Sequence, residues 1–146
     1  MKAIVTGGCG FIGSHLTEIL LAAGHEVVII DNLACGRLEN IKTFRDNPRL
    51  TFCQADICDV ESMHPFFRGA DWVFHLAGLA DIVPSIEQPE RYFAANVVGT
   101  LNVLQCAREV GATGFSLSSR GPAATVRSAR NARDHGPYRR RIEEVS

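Results

Sequence analysis

A short β-rich run at residues 2–5 ends at Thr6 and opens at once into Gly7-Gly8-Cys9-Gly10-Phe11-Ile12-Gly13. No other stretch constrains the fold as strongly. Glycines at 7, 10 and 13 follow a strand and open a helix, which is the context a phosphate-binding turn requires. Gly7 permits the tight turn. Gly10 lets the backbone approach a pyrophosphate with no Cβ in the way, and Gly13 lets the helix pack close to the strand. The helix N-terminus then presents free N–H groups and a partial positive charge to the phosphates. A Cβ at position 10 is therefore expected to weaken binding far more than one at position 8. The plain alternative is an ordinary flexible turn, and the rest of the chain argues against it.

Residues 1–114 alternate between strand and helix patterns. Residues 11–23 have helical periodicity, with Ile12, Leu16, Ile19 and Leu20 on one face, and Gly24 as the stop. Glu26–Ile30 is a second strand. Its unbroken apolar run, Val27 to Ile30, suits a strand covered on both faces of a parallel sheet. A third strand is expected at 49–54, a short helix at 59–67, and a fourth strand at 72–76. A long helix at 89–110 ends at Gly111. Four successive β-then-α steps predict an α/β fold, a doubly wound parallel sheet of the Rossmann type, cut to four or five strands.

Asp31 ends the second strand, 18 residues after Gly13. In a dinucleotide fold that position faces the adenosine ribose. A carboxylate there accepts from the ribose hydroxyls and repels a 2′-phosphate, so NAD is expected over NADP. Taken alone, an aspartate at a strand end starts a turn just as readily.

Five segments together resemble a known family: the glycine turn, Asp31-Asn32-Leu33, Asp56-Ile57, His75-Leu76-Ala77-Gly78 and Asn96-Val97-Val98-Gly99-Thr100. In order and spacing the chain is similar, over residues 1–114, to the extended short-chain dehydrogenase/reductases. Within them it looks nearest to the NAD-dependent nucleotide-sugar epimerases and dehydratases of the UDP-glucose 4-epimerase kind. The resemblance implies that Gly7, Gly10, Phe11, Ile12 and Gly13 hold the pyrophosphate turn, and that Asp31 and Asn32 hold the ribose. It implies that Asp56 and Ile57 flank the adenine, that Leu76, Ala77 and Gly78 line the passage to the nicotinamide, and that Asn96 stands near the cofactor. NAD is the implied cofactor, with a nucleotide sugar as substrate of the full-length parent.

The family's catalytic hydroxyl and Tyr-x-x-x-Lys pair, a general acid/base set, would follow. This chain departs there. Arg120 falls where the hydroxyl is expected, with Ser119 one place away, and four residues after Tyr138 stands Ile142, not lysine. No catalytic residue is assigned, and the chain alone is expected to be inactive. Charge divides at the same point. Residues 1–114 hold 8 Lys+Arg and 13 Asp+Glu, whereas residues 115–146 hold 7 Arg, no Lys and 3 acids. Only six of those last 32 residues are Val, Ile, Leu, Met, Phe, Trp or Tyr, with no strand or helix period before Tyr138. Three readings stay open: a basic tail for an anionic surface, a natural variant with a disordered end, or a reading-frame shift near Thr113. The rise of Arg, Ala, Ser, Gly and Pro together favours the last. The domain division is thus 1–114 as the NAD-binding half-domain and 115–146 as an atypical tail.

No run of 18 apolar residues exists, and the start does not read as a signal peptide. Five cysteines, an odd number without Cys-x-x-Cys spacing, read as reduced thiols of a cytoplasmic protein with no metal site. Neither nucleic acid nor membrane is an expected partner. Self-association through an exposed sheet edge is expected. The alternative function is a non-catalytic NAD-binding regulator, or an interaction module using the basic tail.

Overall fold

A computed structural model describes residues 1–117 and 124–127. Six strands form one sheet: β1 (Lys2–Thr6), β2 (Glu26–Ile30), β3 (Leu50–Cys53), β4 (Trp72–His75), β5 (Gly114–Leu117) and β6 (Ala124–Arg127). Their order is β3-β2-β1-β4-β5-β6. The first five are parallel, with Val5 opposite Ile29 on one side and Phe74 on the other. This is the doubly wound α/β architecture expected from the alternating pattern. The sixth strand pairs antiparallel to β5, Leu117 opposite Ala124, in a segment where the sequence shows no strand period. The rest of the tail, with Arg120 and Tyr138, lies outside the described residues.

The described residues form five α-helical segments: α1 (Phe11–Ala22), α2 (Val60–Met63), α3 (Ile82–Glu87), α4 (Pro89–Phe93) and α5 (Gly99–Glu109). Strand residues alternate between the two faces with period 2. Ile4, Val28, Ile30 and Val73 meet Met63, Phe67, Val103 and Cys106 on one side. Ala3, Val5 and Val27 meet Leu20 and Leu21 of α1 on the other. Each such side chain contributes about 1.5–3 kcal/mol by leaving water. Among the described residues no helix is long and apolar enough to cross a membrane.

Two expectations about helices need correction. The buried face of α1 is Gly13, Ser14, Thr17, Leu20 and Leu21, while Ile12 and Ile19 are 60% and 66% exposed. The helix lies so close to the sheet that small residues must face it. A Cβ at Gly13 would stand 2.7 Å from Gly8 Cα and collide with the Gly7 carbonyl. The long helix expected at 89–110 is in fact α4, a wide π turn over Ala94–Val98, and α5, running on without a break. Ahead of it, α3 was not expected. Its Pro84 lies within the first turn, where a proline forfeits no intrahelical bond.

Candidate functional site

Parallel crossovers carry the chain from β1 outward to β3, then back past β1 to β4. The direction of winding therefore reverses between β1 and β4, and a crevice opens beyond the carboxyl ends of these strands. It holds a cleft of about 390 Å³. Four loops and one helix wall it: Gly7 and Gly10 after β1, Asp31 to Gly36 after β2, Ala55 to Cys58 after β3, Leu76 to Leu79 after β4, and Arg91 with Ala94 and Ala95 on the helix.

The first loop is shaped by what its glycines avoid. Gly7 has φ +70°, and a Cβ there would stand 2.6 Å from the Ala77 nitrogen. Its N–H donates to the Ile30 carbonyl at 2.8 Å, so one residue ties together the ends of three strands. The first intrahelical bond of α1 runs from Ser14 N to the Gly10 carbonyl. The amides of Phe11, Ile12 and Gly13 precede that ladder. No side chain caps this end and its first turn holds no acid, so its positive dipole end is unneutralised. The Phe11 and Ile12 side chains point away and are exposed, and Gly13 is buried beneath the turn.

Asp31 is 7% exposed. Its carboxylate accepts from Cys9 N at 2.9 Å and Leu33 N at 2.8 Å, one on each oxygen. It thereby clamps the first loop to the second. Gly36 closes over it, since a Cβ there would fall 2.7 Å from the carboxylate. Asn32 donates to Asp56 at 2.9 Å and accepts from Ala34 N. Burial pulls the Asp56 carboxyl upward, but hydrogen bonds from Cys58 N, Asn32 and the Cys58 thiol outweigh it and hold the group below its ordinary range. Ile57 is buried, with Gly99 pressed on it so closely that a Cβ would sit 2.5 Å from Ile57 Cδ1. Asn102 donates to the Ile57 carbonyl at 3.0 Å.

Beneath Leu76, Ala77 and Gly78 runs a buried polar chain. Thr100 Oγ1 donates its one proton to the Asn96 carbonyl at 2.7 Å, so it accepts from His75 Nε2 at 2.9 Å. Nδ1 of the neutral ring then accepts from the Thr6 hydroxyl at 2.6 Å, and Thr6 Oγ1 accepts from Ala77 N at 3.4 Å. Burial pushes the His75 pKa down to about 4, which keeps this tautomer neutral. Asn96 grips Leu79 from both sides, its oxygen accepting from Leu79 N at 2.8 Å and its amide donating to Leu79 O at 2.9 Å.

Gly7, Gly10, Asp31, Asn32, Asp56, Ile57, Leu76, Ala77 and Gly78 thus come together on the cleft wall. Asn96 serves the wall by holding Leu79 and does not line the cleft itself. Sequence reasoning missed Gly36, Arg91, Asn102 and the roles of Thr6, His75 and Thr100. His75 and Thr100 stood inside recognised segments, but their pairing across 25 residues left no local trace. Among the described residues no cluster of three His, Cys, Asp or Glu is placed to hold a metal.

A family model described as GDP-mannose 4,6 dehydratase matches residues 4–120. UDP-glucuronic acid decarboxylase 1 of Arabidopsis thaliana is 40% identical over 119 residues, 82% of this chain and 26% of the relative. The chain therefore spans about a quarter of the length of this curated relative. The UDP-glucose 4-epimerase of Thermus thermophilus, solved with NAD, superposes with a TM-score of 0.70 at 39% identity, over 79% of this chain and 36% of that one. A dTDP-glucose 4,6-dehydratase of Streptomyces venezuelae, solved with NAD, gives a TM-score of 0.73 at 35% identity, over 79% and 38%.

Proposed function

The chain belongs to the GDP-mannose 4,6-dehydratase family, and from that membership we propose that it binds NAD as the cofactor portion of an NAD-dependent nucleotide-sugar epimerase or dehydratase. The carrying observation is that an uncapped helix N-terminus and a strand-end carboxylate face one cleft at the point where the sheet reverses its winding. Within the protein a Cβ at Gly10 would meet only the Gly7 carbonyl, at 3.2 Å. The space it would take is cleft space, which would be left to a pyrophosphate.

Gly7, Gly10 and the amides of Phe11, Ile12 and Gly13 would cradle the pyrophosphate. Each oxygen of Asp31 accepts one backbone N–H, which leaves acceptor capacity for ribose hydroxyls, with Asn32 beside it. Asp56 would accept from the adenine amine, and Ile57 would pack on the ring. Leu76, Ala77 and Gly78, braced by His75 and Asn96, would wall the path to the nicotinamide. When bound, NAD supplies hydride transfer. The five free thiols accord with a reducing compartment such as the cytoplasm.

Calorimetry with NAD and NADP tests the reading. A 2′-phosphate beside the Asp31 carboxylate is expected to weaken binding at least about tenfold, or roughly 1.4 kcal/mol. Equal or tighter binding of NADP overturns the ribose assignment.

A further inference from the structure

Of the five cysteines, Cys9, Cys53 and Cys106 are buried, whereas Cys35 and Cys58 are exposed, and all five are free. The two exposed ones both line the cleft. Cys35 lies in the loop after β2, and Cys58 in the loop after β3. These loops are bridged by the 2.9 Å hydrogen bond from Asn32 to Asp56. Cys58 Sγ lies 3.4 Å from the carbonyl oxygen of Ala94, itself part of the cleft wall. The two exposed thiols therefore both line this cavity. Asp31 stands on the loop that carries Cys35 and Asp56 on the loop that carries Cys58, so the carboxylates nearest in sequence to the two thiols disfavour anionic reagents at these loops, whereas the uncapped end of α1 stands on the separate loop after β1.

We propose that this cleft is a thiol-modification site, in which Cys35 and Cys58 take small uncharged or cationic disulfides as mixed disulfides. The thiolate attacks one sulfur of the disulfide and the S–S bond breaks. Half of the reagent stays bonded to the cysteine, and the other half leaves as a thiolate that takes up the proton. An adduct on either sulfur occupies the rim that the adenosine end of a dinucleotide would cross. Modification at Cys58 also removes a thiol hydrogen bond from Asp56. Burial and the neighbouring Asp56 push the Cys58 thiol upward, which lowers its thiolate fraction without closing access to it.

The probe is cystamine, added to the native protein, with adducts mapped by mass spectrometry of peptides over time. Half-cystamine adducts are expected at Cys35 and Cys58 at least tenfold faster than at Cys9, Cys53 and Cys106, which react once denaturant is added. Cys35→Ser and Cys58→Ser each remove one fast adduct and leave the other. Relative to each reagent's rate with a small free thiol, which removes the difference in leaving group, an anionic aromatic disulfide labels the same pair more slowly than cystamine does. Equal rates at all five cysteines, a preference for the anionic reagent, or a direct Cys35–Cys58 disulfide carrying no added mass overturns the proposal. Competition with the dinucleotide rests on the function proposed above, and a second arm separates the two. Saturating NAD is expected to slow both fast adducts at least tenfold. An intact cysteine map that NAD leaves unslowed supports the thiol site and overturns the NAD reading.

Discussion

Gly8 and Gly10 stand two places apart in one loop, yet an added methyl group meets different things at each. At Gly10 it enters the cleft, and at Gly8 it would lie 2.6 and 2.7 Å from the two Cγ atoms of Ile29, a fully buried side chain. Gly10→Val is expected to fold with little change in Tm and to lose NAD binding by calorimetry. Gly8→Ala is expected to cost about 1–3 kcal/mol of stability through overpacking, so it is not the innocuous control that the glycine spacing implies. Loss of folding in Gly10→Val with a stable Gly8→Ala would reverse this assignment. The motif was legible in sequence because its glycines lie within seven residues. What each glycine touches was not, because Ile29 and Ala77 arrive from other strands. His75 carries a pH signature. Its folded pKa of about 4 lies below the ordinary 6.5, so the unfolded chain binds the proton more readily. The stability it contributes is complete above pH ~6.5 and lost as pH falls toward ~4, up to about 3 kcal/mol. Asp56, held below its ordinary 3.8, acts only at lower pH. Urea midpoints measured from pH 7.5 to 4.5 check this, since His75→Asn is expected to flatten that window. An unchanged slope in the variant would assign the acid loss to other groups.

Elements show where pattern reading succeeds. The run Val27-Val28-Ile29-Ile30 announced a strand covered on both sides, and all four residues are buried. Helix α1 misled because its face was sought among large apolar residues, whereas a helix pressed on a sheet needs Gly13, Ser14 and Thr17 inward. Between α4 and α5 the extent of the helix was legible and the π turn inside it was not. The π turn over Ala94–Val98 shifts the helix surface there, and no propensity in Ala94-Ala95-Asn96-Val97-Val98 marks it. The turn sits where Asn96 grips Leu79 and where the Asn96 carbonyl receives Thr100. Asn96→Ala is expected to release the Leu79 loop, at a cost of about 0.5–1.5 kcal/mol for each of the two exposed hydrogen bonds lost. Hydrogen exchange should quicken at the Leu79 amide while the Val28 amide stays protected. Unaltered exchange at Leu79 would mean that the grip does not hold the loop.

At the scale of the whole molecule, the sheet has β3 at one margin and β6 at the other. Apolar side chains gather in the open on the helices between Ile82 and Leu104, among them Ile86 at 75% and Phe93 at 60% exposure. Turnover is a property of the whole as well. Four residues after Tyr92 and Tyr138 stand Asn96 and Ile142, so no Tyr-x-x-x-Lys occurs in the 146 residues. General acid–base catalysis contributes about 10²–10⁴-fold, and positioning contributes more. The chain alone is therefore expected to leave UDP-glucose, UDP-N-acetylglucosamine and dTDP-glucose unchanged by chromatography. Product formation would demand another general base, with Tyr138 the first residue to replace. The Gly7 turn has a last consequence, in time rather than space. Its left-handed backbone is seated on Leu76 and Ala77, and the adjoining Thr6–His75 bond spans 69 residues of chain. A ribosome adding about 5–20 residues per second delivers that seat roughly 4–14 s after the turn is made. The most recognisable stretch of the sequence is thus born shapeless, and no cofactor can steady it until the fourth strand has arrived.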